Sequence, residues 1–221
     1  MCGLYGTIAS AEAKALDVDD LEHTIRQTES RGQHAFGSAI LDYRGRMHVS
    51  KGIGCMSDRK DFGRRLRRMS KAKILIGHCR HTTHGAEKRM INNHPHKCNA
   101  GYVVHNGIVD NYLELALAYD LILKSECDTE AIGKLVDYMR PIYKGIGESV
   151  AAAMEYVFGY GNTIAMIVGR KLVVARNGNP LHYAISDQRM IFASEDRAVP
   201  ALPNVTNEMS DAMVLVFQCM P

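Results

Sequence analysis

Cys2 stands one residue into a chain that begins Met1-Cys2-Gly3. Its side chain is small enough for the methionine ahead of it to be trimmed, which leaves thiol and α-amine on one residue. An α-amine titrates near pKa ~8, far below a lysine, so it can take the thiol proton close to neutral pH. A nucleophile served by an N-terminal amine is an established arrangement for covalent catalysis. Many chains begin Met-Cys by chance, so the pair gains meaning only from what accompanies it.

Three polar clusters further along offer what such a nucleophile needs. In Gly77-His78-Cys79-Arg80-His81-Thr82-Thr83-His84-Gly85, Arg80 follows an apolar run. Its guanidinium is a bidentate fork for a carboxylate, or a partner for a neighbouring acid. Thr83, His84 and Gly85 read as a flexible lip or as a plain polar loop. In His105-Asn106-Gly107, the Asn106 amide and the Gly107 N–H can donate together to a developing oxyanion. Asn-Gly is equally the favoured dipeptide of a tight turn. In Ser125–Glu130, Asp128 reads as a helix N-cap or as the holder of a substrate ammonium, and the two roles partly exclude each other.

A metal is the competing use of these side chains. His78, Cys79, His81, His84, His94, His96 and Cys98 fall within 21 residues. No pair has a zinc-finger or H-E-x-x-H spacing, and Pro95 works against turning His94 and His96 to one ion. No metal and no cofactor is expected.

The elements that must position these groups follow from periodicity. Residues 3–9, 38–42, 47–50, 73–78 and 101–105 read as strands, the last stopped by Asn106-Gly107. Residues 17–30, 108–119, 128–143 and 148–157 read as helices, with Asp17, Asp19 or Asp20 capping the first. Strands at 162–168, 171–175, 181–185, 190–193 and 213–217 fill the last third. The polar stretch 80–100 has little periodicity and reads as a functional loop rather than a core element. The pattern predicts one α+β domain over residues 1–221.

Composition agrees with an ordinary globular chain of 221 residues, 46% apolar and 23% charged. No apolar run approaches a membrane span and no secretory leader is readable, so neither a membrane partner nor export is expected. Six scattered cysteines without a C-x-x-C pair predict free thiols and a cytoplasmic setting. The net charge of +3 conceals eight basic residues between Arg59 and Lys73, without which the balance is negative. Phe62, Leu66 and Met69 recur there at helical spacing, which describes a solvated helix with a narrow apolar stripe. It also leaves room for an acidic or phosphate-bearing partner. No nucleic-acid motif accompanies it, and no nucleic-acid partner is expected.

Together the pieces MCGLYGTIA, SRGQ, IGHCRHTTHG, NNHPH, VVHNGIVDN, SECDTEAI, ARNGNPL and FASE, in this order, resemble the glutaminase domain of class II glutamine amidotransferases. These are N-terminal nucleophile hydrolases, and the glucosamine-6-phosphate synthase branch is the most similar. The resemblance implies a four-layer αββα sandwich and hydrolysis of L-glutamine to glutamate and ammonia. It implies Cys2 as nucleophile with its freed amine as base, and Asn106 and Gly107 as oxyanion hole. Arg80 would hold the α-carboxylate and Asp128 the α-ammonium, with Thr83 and His84 in a loop folding over glutamine. Arg31 and His94 would support the site.

The sequence also departs from that family. His81 replaces the tryptophan that follows the loop arginine in the aminosugar synthases and is associated with gating ammonia. His34-Ala35-Phe36-Gly37 replaces D-S-A-G after Arg31-Gly32-Gln33. With the sequence ending at Pro221, the acceptor is expected to be a separate synthase subunit, of aminosugar type. A homo-oligomer is compatible with this reading. Amidation of a nucleotide or modified base is the alternative acceptor chemistry, and a non-catalytic regulatory module of the same fold is the other rival.

Overall fold

Adjacent residues of the first strand, β1 (Gly3–Ala9), belong to different cores. Leu4 and Ile8 lie in an apolar layer between two sheets, while Tyr5 lies on the opposite face, beneath helices. Ile74 and Ile76 share the layer of Leu4, and the intervening Leu75 shares that of Tyr5. Side chains alternate across a strand, so apolar residues at both parities demand a cover on both faces. That demand sets the architecture of residues 1–200 and 207–219, which the computed structural model describes. Pro221 lies outside the described residues.

The first sheet contains β1, β2 (Ala35–Leu41), β3 (Met47–Ile53), β4 (Ile74–Arg80), β9 (His182–Ile185), β10 (Arg189–Ala193) and β11 (Asn207–Glu208), in the order β11-β9-β10-β1-β4-β2-β3. The second contains β5 (His96–Lys97), β6 (Gly101–Val109), β7 (Gly159–Val168), β8 (Lys171–Arg176) and β12 (Met213–Gln218), in the order β12-β8-β7-β6-β5. All the pairings are antiparallel. Leu4, Ile76, Val104, Ala165, Ile167, Leu172 and Phe192 fill the space between the sheets.

Helices cover the two outer faces. Leu21 and Ile25 of α1 (Val18–Glu29) and Leu66 and Met69 of α2 (Phe62–Met69) pack with Tyr5, Phe36 and Leu75. On the other side, Leu115 of α3 (Tyr112–Ala118), Ile132 and Val136 of α4 (Thr129–Met139) and Val150 of α5 (Ile146–Glu155) pack with Val103, Ile164 and Met166. The result is the expected helix–sheet–sheet–helix sandwich. Among the described residues, no helix is long and apolar enough to cross a membrane. The six cysteines are free thiols.

The basic stretch forms the expected solvated helix, with Phe62, Leu66 and Met69 buried. Its arginines are partly engaged: Arg65 pairs with Asp61 at 2.9 Å, and Arg68 meets His48. Asp17 is the residue that caps α1, accepting from the Asp19 N–H at 2.8 Å.

Three expectations need correction. Asn106-Gly107 does not stop a strand: Asn106 pairs with Thr163 and Ile108 with Tyr160, so β6 continues to Val109 and the next helix begins only at Tyr112. The long β7 keeps pairing past the dipeptide, and the irregularity is absorbed as a bulge in β7, where Gly161 and Asn162 together face Gly107. Likewise β4 runs on to Arg80, because β1 and β2 pair with its end. The polar stretch 80–100 is not a surface loop throughout, since Asn92, Asn93, His94 and His96 are buried. Asn92 bonds to Glu126, Asn93 to Arg80 and Glu87, and His94 to Thr129, which is how a segment without apolar periodicity enters the interior.

Candidate active site

The register of the first sheet brings Cys2 to the end of β4. Gly3 pairs with Cys79, and the Cys2 sulfur lies 3.3 Å from both the backbone nitrogen and the carbonyl oxygen of His81. Arg31, in the turn after α1, donates from Nε to the Cys2 carbonyl at 2.8 Å and from Nη1 to Glu195 at 2.5 Å. Gly32 makes that turn possible: a Cβ there would lie 2.4 Å from the Arg80 carbonyl carbon and 2.6 Å from the His81 nitrogen. Only a residue without a side chain fits so close to the strand end.

Burial pushes the Cys2 thiol above its ordinary pKa. The His81 N–H, the amino-terminal ammonium and Arg80 act in the opposite direction, and Asp128 adds to the rise. Arg80 and Asp128 are therefore close enough for their charges to be felt at the sulfur. Met1 is 61% exposed, so the bond ahead of Cys2 is open to a processing enzyme.

Arg80 is almost fully buried, and its guanidinium binds its own loop. Nη1 donates to Asn93 Oδ1 at 2.5 Å, and Nη2 donates to the carbonyls of His84 and of Gly85, the latter at 2.8 Å. The fork that the sequence suggested for a carboxylate thus holds the loop against the sheet end. Thr83 is exposed on that loop, while His84 is half-buried, 3.8 Å from Asp128 Oδ2 and edge-on to Tyr112.

Asp128 serves two elements at once. Oδ1 caps α4 by accepting from the Thr129 N–H at 2.9 Å, and Oδ2 accepts from the Val109 N–H at 2.8 Å. The N-cap reading is correct, and the carboxylate also anchors the end of β6. The Cys127 thiol at 3.6 Å and the Thr129 hydroxyl at 3.5 Å also approach Oδ1, so the remaining capacity for a cation is on Oδ2, the oxygen facing His84.

Asn106 is 1% exposed and its Nδ2 has no hydrogen-bond partner. An unpartnered buried donor costs free energy, and such groups concentrate where a ligand will supply the acceptor. Next to it, Gly107 has φ of 154°, and a Cβ would meet His105 Nε2 at 2.6 Å, Gly161 O at 2.7 Å and Asn162 Oδ1 at 2.8 Å. The backbone is thereby turned by a residue that only glycine replaces without strain.

Behind this ledge lies a relay of neutral histidines. His105 Nε2 donates to Asn162 Oδ1 at 2.9 Å, which leaves Nδ1 as acceptor for the Thr129 hydroxyl at 3.0 Å. The Thr129 oxygen then accepts from His94 Nε2 at 2.8 Å, and His94 Nδ1 is left bare. Burial lowers the pKa of His78, His94 and His105, that of His78 to about 3. His94 stacks on His78 at 3.7 Å, and His78 Nε2 donates to the His105 carbonyl at 2.8 Å, tying β4 to β6.

Of the residues the sequence singles out, the structure joins Cys2 to Arg31 through its carbonyl and to His81, next to Arg80, through its sulfur; His84 lies beside Asp128, and Thr83, Asn106 and Gly107 stand on the neighbouring loop and on β6. His94 lies behind them, acting through Thr129. Several contributors were missed: Glu195 in FASE, Asn93 in NNHPH, Thr129 in SECDTEAI, and Asn179 in ARNGNPL, which donates to the Asn106 carbonyl at 3.2 Å. Each sits inside a quoted motif, but its partner is remote in sequence. Pro95 does not keep the imidazoles of His94 and His96 apart: their rings meet edge-on at 4.9 Å, and one ligand atom of each lies within 4.8 Å of the other.

The chain is similar to known proteins. The glutamine amidotransferase domain family matches residues 63–220. Glutamine–fructose-6-phosphate aminotransferase (isomerizing) of Bacillus subtilis is 28% identical over 98% of this chain and 36% of its own length. The Clostridium acetobutylicum enzyme of that name is 35% identical over 95% of this chain and 33% of its own. The chain thus spans about a third of the length of these curated relatives. The fold matches the glutamine phosphoribosylpyrophosphate amidotransferase of B. subtilis with a TM-score of 0.78, at 19% identity over 98% of this chain and 47% of that one. A glutamine aminotransferase class-II domain protein from Silicibacter pomeroyi matches with a TM-score of 0.66, at 14% identity over 99% of this chain and 95% of that one.

Proposed function

Because this chain belongs to the class II glutamine amidotransferases, we propose that it hydrolyses L-glutamine to glutamate and ammonia through a thioester on Cys2. The ammonia passes to an acceptor synthase of the aminosugar type, the chemistry named in the curated relatives. The observation that carries this reading is the buried, unpartnered amide of Asn106 beside Gly107, opposite the bulge in β7.

Removal of Met1 frees the Cys2 amine, which takes the thiol proton. The thiolate attacks the side-chain carbonyl carbon of glutamine, and the oxyanion accepts from Asn106 Nδ2 and the Gly107 N–H. The ammonium of Cys2 returns its proton to the departing nitrogen, the C–N bond breaks and ammonia leaves. Water, deprotonated by the same amine, then cleaves the γ-glutamyl thioester to glutamate and restores the thiol.

Arg80 and Asp128 read the two charges of a free amino acid. The substrate carboxylate competes with the His84 and Gly85 carbonyls for the Arg80 guanidinium, so entry of glutamine is coupled to movement of the loop bearing Thr83 and His84. Arg31 holds the carbonyl of Cys2, and His94 fixes Thr129 and through it the start of α4.

Incubation of the processed protein with glutamine and hydroxylamine tests this reading. A thioester is intercepted as γ-glutamyl hydroxamate, which should form with wild type and vanish in Cys2→Ala. Absence of both hydroxamate and glutamate from wild type contradicts it. Co-purification with an aminosugar-forming synthase tests the acceptor assignment separately.

A further inference from the structure

We propose that His94, His96 and Cys127 form a binding site for a thiophilic divalent cation such as Zn2+, behind the glutamine site. One ligand atom from each of the three lies within 4.8 Å of the others, and all three residues are buried. Two ring nitrogens there, His94 Nδ1 and His96 Nε2, have no hydrogen-bond partner, although each residue is 4% exposed. Two imidazoles and a thiol gathered this closely form the nitrogen-and-sulfur donor set that zinc takes in proteins.

The surroundings fit a ligand set rather than a packing accident. The relay from Asn162 through His105 and Thr129 puts the His94 proton on Nε2 and leaves Nδ1 free. Histidines that bind metals characteristically donate their other nitrogen in this way. Ligand atoms around zinc at about 2.0–2.3 Å lie roughly 3.3–3.8 Å apart, so binding draws the cluster in by about 1 Å.

Access is available from the His96 side. A cavity of about 420 Å³ is lined by His96, Pro95, Lys51, Glu130 and Lys134 among others. The Lys51 ammonium, which donates to the Asn93 carbonyl at 2.5 Å, opposes a cation. Glu130 and the thiolate that Cys127 becomes on coordination offset it. The Cys127 thiol contacts Asp128 Oδ1 at 3.6 Å, and that contact is lost when a metal takes the sulfur. The site stands whether or not Cys2 acts on glutamine.

Cobalt is the probe, because thiolate coordination gives an intense charge-transfer absorption. Titration of the purified chain with Co2+ should give that band at one equivalent, and Zn2+ should displace it. Cys127→Ser should abolish the band, and His96→Gln should weaken binding by more than about tenfold. A band unchanged in Cys127→Ser, or no stoichiometric binding to wild type, overturns the proposal. X-ray absorption of the zinc-loaded wild type guards against a variant that fails to fold. One sulfur at about 2.3 Å with nitrogens at about 2.0–2.1 Å is expected, and a sulfur-free shell overturns the proposal.

Discussion

The Cys2 sulfur lies 3.3 Å from both the N–H nitrogen and the carbonyl oxygen of His81. A neutral thiol uses both, donating to the oxygen and accepting from the nitrogen. A thiolate keeps the N–H and is repelled by the carbonyl, and burial further disfavours it. With Met1 in place, alkylation of Cys2 by iodoacetamide should therefore rise with pH through a midpoint above that of an ordinary thiol, about 8.5. A midpoint near neutrality in the Met1-bearing chain contradicts this.

Asn106→Ala separates catalysis from stability. Loss of an oxyanion donor should lower kcat by about 10²–10³-fold with little change in KM. Because the Nδ2 donor is already unpartnered, unfolding free energy should stay within about 1 kcal/mol of wild type. Steady-state kinetics and a denaturant titration measure the two effects on one preparation.

Asp128→Asn tests the ammonium site while sparing the helix cap, since asparagine caps about as well as aspartate. Its amide cannot accept from both the Thr129 and Val109 N–H groups at full strength, which costs about 1 kcal/mol. KM for glutamine should rise about 10–100-fold, as expected for a lost charge-assisted hydrogen bond. An unchanged KM would place the substrate ammonium elsewhere.

Acid should unfold the protein early. His78, His94 and His96 are held neutral by burial, their folded pKa values depressed below the unfolded value of about 6.5. Their contribution is present above that value and is lost as pH falls, because the unfolded chain binds the protons first. Each therefore loses stability as pH falls through about 6.5, and the three losses act in the same direction. His105 acts in the same direction. Tm against pH should fall steeply below about 6.5, and a flat profile contradicts this account.

Much of this was legible in the sequence because it is local. Alternation and helical spacing mark the two-faced strands and α2, and Asp128 announces the start of α4. Asn106-Gly107 was misread because whether it turns or continues the strand depends on β7, more than 50 residues away in sequence. Glu195 and Asn179 were silent for the same reason: their partners, Arg31 and the Asn106 carbonyl, are brought in by strand register. The two departures from the family pattern proved to be one feature, since His34 and His81 stack at 4.8 Å and His34 Nδ1 accepts from the Thr82 N–H at 3.0 Å. No rule of spacing links those positions.

The account turns on the amine of Cys2, so the decisive measurement compares two N-termini of the same chain. Intact mass identifies the form beginning at Cys2 and the form retaining Met1, and glutamate release from L-glutamine is followed for each. Release by the Cys2-initiated form should exceed that of the Met1-bearing form by about 10²-fold or more, the contribution of a positioned general base. Equal rates from the two forms, or undiminished release by Cys2→Ala, would contradict the assignment of Cys2 as a nucleophile served by its own amine.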